Sequence, residues 1–162
     1  MGIQIPGELS ALLNELGYTW PESDEESLFA LGQRWIAFGA QADGFAASAA
    51  TAVQALSGSH GMALDAFRAQ WDDPESANEV LAGLGLGARA VGAALIVCAI
   101  AVLALKINVI VQLTLLVIAI AQAIATAGPT FGASLLEVPL FKKLTDIAID
   151  ILIDQALEIV LG

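Results

Sequence analysis

The chain has 162 residues, enough for one domain with a real core and too few for two ordinary ones. Its 17 acids outnumber its 6 bases, a formal net charge of -11, so there is no basic stripe and nucleic-acid binding is excluded. Hydrophobic residues make up 57% and charged residues 14%, a balance that excludes extensive disorder. Cys98 is the only cysteine, so no intramolecular disulfide can form, and in Leu95-Ile96-Val97-Cys98-Ala99-Ile100 it reads as a small apolar filler. The first twenty residues lack a basic start and an uninterrupted apolar run, so no cleavable signal peptide is expected.

Residues 1–22 carry Pro6, Gly7, Gly17 and Pro21 around a short amphipathic piece from Leu9 to Leu16. Ser23-Asp24-Glu25-Glu26 follows, and a serine three residues ahead of a glutamate predicts a capping box at a helix start. In the helix beyond it, Leu28, Leu31, Trp35, Phe38, Ala42, Phe45, Ala49, Ala52 and Leu56 recur at alternating spacings of three and four. That is a heptad seam, which buries one stripe against another helix. Gly32, Gly39 and Gly44 weaken the helix but let a second one approach closely. Gly58 and Gly61, in Ser57-Gly58-Ser59-His60-Gly61, are the candidate hairpin turn. A shorter helix is expected from Met62 to Trp71, with Ala63, Phe67 and Trp71 stacked on one side. Asp73-Pro74-Glu75 then reads as a new helix start.

Between Ala90 and Leu136 the only formal charge is Lys106. Two readings fit. One is a continuous buried helix whose Lys106 reaches out to the surface; the other is a membrane-inserting pair of spans within residues 90–127. Gly128-Pro129 ends this stretch. A last helix, about Pro139 to Leu161, carries Asp146, Asp150, Asp154 and Glu158 at strict i, i+4 spacing. Like charges so placed cost ~0.2–0.5 kcal/mol per pair, so the ladder reads as a solvated outer face or as a docking stripe for a basic partner. Lys142 and Lys143 precede it and are placed to pair with Asp146.

No alternating pattern long enough for a strand occurs. The fold expected is all-α, a helical hairpin extended into a multi-helix bundle with a very apolar central helix. It is one domain: an N-terminal segment 1–22, a hairpin 23–72, an apolar core 73–128 and an amphipathic C-terminal helix 138–161. Chemistry has little to work with. His60, the only histidine, sits in a glycine-bounded turn with no carboxylate placed to orient it. Gly83, Gly85 and Gly87 lack the strand before and the Lys-Ser/Thr after that a phosphate loop needs. No catalytic, cofactor-binding or metal-ligating residue is expected, and the chain reads as a non-enzyme.

Several features together resemble a known family: Gly17-Tyr18-Thr19-Trp20-Pro21, the acidic cap, the helix through Trp35, the Gly58 turn, Ala66-Phe67, Trp71, and the stretch around Cys98 and Lys106. They resemble the N-terminal domain of actinobacterial CpnT-type polymorphic toxins, a divergent relative of the Trp-x-Gly helical-hairpin proteins exported by type VII secretion. Leu56-Ser57-Gly58 stands in the place of the Trp-x-Gly turn. The resemblance implies a helical adaptor that pairs with small helical-hairpin partners or with itself and presents a C-terminal effector for export. It also implies a cytoplasmic precursor bound for secretion or the cell envelope. On that reading the interface candidates are Leu28, Leu31, Trp35, Phe38, Phe45, Leu56, Phe67 and Trp71.

Overall fold

A computed structural model describes residues 2–161. Among them lie five α-helices and no strand: α1 (Gly7–Glu15), α2 (Glu25–Gln54), α3 (Met62–Trp71), α4 (Ala77–Thr126) and α5 (Val138–Leu161), with a 3-10 turn at Ala133–Glu137 just before α5. This is the all-α architecture expected, with α4 as its apolar central helix.

The helix starts differ from the sequence reading. Asp24, not Ser23, caps α2: its Oδ1 accepts the Glu26 and Ser27 amides and its Oδ2 accepts the Ser27 hydroxyl. The Ser27 amide and hydroxyl hold the Asp24 carboxyl below the usual range. Three residues later than expected, α4 begins with Ser76 as its cap, the Ser76 Oγ accepting the Glu79 amide at 3.3 Å. Asp73-Pro74-Glu75 forms a preceding turn, in which Asp73 Oδ1 accepts the Glu75 amide. Ser76-Ala77-Asn78-Glu79 is therefore the capping-box sequence of the long helix. The turn after α1 is a Schellman motif. Gly17 is left-handed at φ 93, its amide meets the Asn14 carbonyl, and the Tyr18 amide reaches the Leu13 carbonyl.

Packing divides the chain into two units, Met1–Ser27 with Val97–Gly162, and Leu28–Ile96. In the first, Leu13 of α1, Val109 and Leu113 of α4 and Ile149 of α5 are almost fully buried against one another. Leu9, Leu12, Leu16, Leu105 and Ile153 pack around them.

The second unit is built on a different principle. Here α2 and α4 run antiparallel and meet backbone to backbone at two matched glycine pairs, Gly32 with Gly92 and Gly39 with Gly85. A Cβ on Gly32 would stand 2.7 Å from the Gly92 carbonyl oxygen, and one on Gly39 2.6 Å from that of Gly85. Any side chain there would push the helices apart. Ala42 and Ala46 continue the same buried stripe, and Asp43 pairs with Arg89 beside it. The heptad that α2 turns toward α4 is thus Gly32, Gly39 and Ala46, not the seam of large residues. Gly44, Gly83 and Gly87 face open space.

Other expectations meet a different outcome. The apolar stretch is one continuous helix rather than two spans, but it is far from wholly buried: in its most apolar 18-residue window 22% is buried. Lys106 does not reach the surface; it is 1% exposed, its ammonium held by the Ser23 carbonyl and by Glu25 at the start of α2. Of the two turn glycines, Gly61 adopts a glycine-only backbone at φ 141, whereas Gly58 has negative φ. Lys142 pairs with Glu15 rather than with Asp146.

Candidate functional site

Because glycine and alanine occupy the inner stripe of α2, its large residues are displaced to the outside. Leu31, Arg34, Trp35 and Phe38 line an open, almost wholly apolar groove of about 270 Å³. The Trp35 and Phe38 rings meet edge to face, with centroids 6.1 Å apart at 88°, the arrangement that aromatic quadrupoles favour. Arg34, exposed on the same groove, has no ion pair among the described residues. Phe45, two turns beyond Phe38, is 68% exposed.

The other interface candidates fall elsewhere. Leu28 is half-buried at the start of α2, and Leu56 is exposed in the turn after it. On α3, Phe67 stacks on Trp71 with centroids 6.1 Å apart, and the two line a second hollow with Ser76, Ala77 and Asn78. Arg68 fastens α3 to that turn by donating to the Leu56 and Ser57 carbonyls. The structure therefore gathers Leu31, Trp35 and Phe38 into one groove and Phe67 with Trp71 into another.

The acidic ladder of α5 is divided in two. Asp146 and Asp150 converge on the Tyr18 hydroxyl, at 2.8 and 2.7 Å. Burial, then the hydrogen bonds to Asp150 and Asp146, push the Tyr18 phenol well above its usual range, so it stays a donor at any physiological pH. Asp154 and Glu158 are exposed and make no ion pair or hydrogen bond among the described residues. Sequence reasoning missed the Tyr18 contact because it joins residues more than a hundred positions apart.

A second cluster missed in the sequence surrounds Lys106. Its Nζ donates to Glu25 Oε2 at 2.8 Å and to the Ser23 carbonyl, and lies 5.8 Å from the Trp20 ring centroid. The Ile3 amide donates to the other oxygen of Glu25. Burial drives the Glu25 carboxyl upward, but the Lys106 ammonium and the Ile3 amide outweigh it and hold the group below the usual carboxylate range. With the Lys106 ammonium and both Glu25 oxygens engaged, this cluster fastens the N-terminal segment to α4. His60 is exposed in its turn. Among the described residues no group of three or more metal-ligating side chains converges.

The described residues form a helical protein with large apolar side chains exposed on several helix faces. No curated protein and no solved structure is detectably similar to the chain. A family model does match: the WXG100-like domain aligns with residues 5–140, more than four-fifths of the sequence, from just before α1 to the first turn of α5. The match over this length places the chain in the WXG100-like domain family, among helical proteins related to type VII secretion.

Proposed function

We propose that the chain is a non-enzymatic targeting domain of type VII secretion. In this reading the outer face of α2 pairs with a small helical-hairpin partner, and the domain presents a C-terminal effector of a polymorphic toxin for export from the cytoplasm to the envelope or beyond. The observation that carries it is the exposure of Leu31, Trp35 and Phe38 beside Arg34, on a helix whose inner face is already filled by α4. Aromatic and arginine anchors grouped in one groove are the composition of interface hot spots. The test is co-purification with small helical-hairpin proteins of the same secretion system. Phe38→Asp should abolish capture by at least tenfold while the circular dichroism of the isolated chain is unchanged; loss of helicity, or undiminished capture, would refute this face as the interface.

One observation favours a second reading, insertion of residues 90–127 into a membrane. An 18-residue window of α4 has a mean hydropathy of 2.7 and is mostly unburied, and at 50 residues the helix exceeds the roughly 20 needed to span a bilayer. Flotation with zwitterionic vesicles tests it. Protein that rises with the vesicles and resists carbonate extraction supports insertion, and protein that stays at the bottom of the gradient rejects it.

A further inference from the structure

The outer side of α5 lies beyond the matched family segment except at its first turn, and it is not the polar face that an amphipathic helix presents to water. Leu140, Leu144, Ile147 and Ile151 follow one another at spacings of four, three and four, each 47–57% exposed. They stand opposite Thr145 and Ile149, which α5 turns into the core. An aliphatic heptad stripe of this kind is buried by a second helix. Its charges say which one. At the N-terminal end Lys143 is exposed, and at the C-terminal end Asp154 and Glu158 are exposed; none of the three has a partner among the described residues. No base occupies the last turn of α5, where the helix dipole is negative. Lys142 is already engaged by Glu15.

We propose that α5 is a self-pairing helix, through which two copies of the chain associate about a twofold axis with their α5 helices antiparallel. If Ile147 of one copy packs against the partner's Ile151, Lys143 falls beside the partner's Asp154. The isologous geometry makes that contact twice. The two helix dipoles then oppose each other, which is also favourable. A parallel pair would instead set lysine beside lysine and acid beside acid. A basic helix from another protein would answer Asp154 and Glu158 but leave Lys143 without a counterpart. A bilayer would have to accept an acidic helix end from a chain of net charge -11. A second copy gives Lys143 and Asp154 each a counterpart at both ends of the seam, while Glu158 stays at the helix end beyond them.

Sedimentation velocity on the full chain over a range of concentrations tests the pairing. The wild type is expected to dimerise. Lys143→Glu alone and Asp154→Lys alone should each raise the dimer dissociation constant at least tenfold, and the double charge reversal should restore it to within about threefold. Ile147→Asp should leave only monomer, with the circular dichroism spectrum retained. A chain that is monomeric at every concentration overturns the proposal, as does a double reversal no better than the weaker single variant. A dimer unaffected by these changes but lost in Phe38→Asp also overturns it, and would assign self-association to α2.

Discussion

At Lys106 the chain buries an ammonium in the most apolar part of its longest helix, and three groups from residues 20–25 converge to meet it: the Glu25 carboxylate, the Ser23 carbonyl and the Trp20 ring. Removing one partner of such a pair leaves the other charged and desolvated, at a cost of about 3–5 kcal/mol, whereas an apolar pair of similar volume is often neutral. Glu25→Gln and Lys106→Met should each lower unfolding free energy by that order in urea titrations. Glu25→Leu combined with Lys106→Met should recover at least half of the loss. The pH dependence follows from the depressed Glu25 carboxyl. Its contribution is complete above the unfolded value of about 4.3 and is lost as the pH falls through the lower folded value. Wild-type stability should therefore decline steeply below about pH 4.3, and Glu25→Gln should flatten that decline. In the sequence Lys106 was conspicuous, but its counterion lies 81 positions away, and nothing local distinguishes Glu25 from the acids on either side of it.

Among the elements, α2 shows how size misleads. Its heptad period was legible, but the largest residues were assigned to the buried stripe because burial of apolar area is the usual driving force. Here the inner stripe is glycine and alanine, and stability comes from close backbone approach. The seven-residue spacing of Gly32 and Gly39, matched by Gly85 and Gly92, was the signal available. Gly92→Ala should be destabilising by about 1–3 kcal/mol, the usual penalty for overpacking, because its Cβ would stand 2.6 Å from the Gly32 carbonyl oxygen. Gly87→Ala, in open space on the same helix, should instead stabilise by up to about 1 kcal/mol, since alanine is the better helix former. Urea midpoints of the two variants, shifted in opposite directions, would establish that helix contact rather than propensity governs these positions.

For the molecule as a whole, helical periodicity and the lack of alternation were enough to give the all-α class. Which apolar faces end up inside was not legible, because a stripe on α4 or α5 has the same pattern whether it meets its own chain, another chain or lipid. Stability should vary along the chain accordingly. α3 has no buried residue, while α4 contributes Val109, Leu113 and Leu116 to the most enclosed positions. Hydrogen exchange should show α3 and the turn at residues 55–61 exchanging fastest among the regions between α1 and α5, and amides near Leu113 slowest. The glycine contacts have a mechanical consequence. Helices that touch backbone to backbone at two matched points, with the Asp43–Arg89 pair between successive turns, cannot slide by one residue without breaking all three contacts together. Pulled lengthwise, as a chain drawn through a narrow channel would be, α2 and α4 form a joint loaded in shear, which yields at a higher force than one peeled apart a contact at a time.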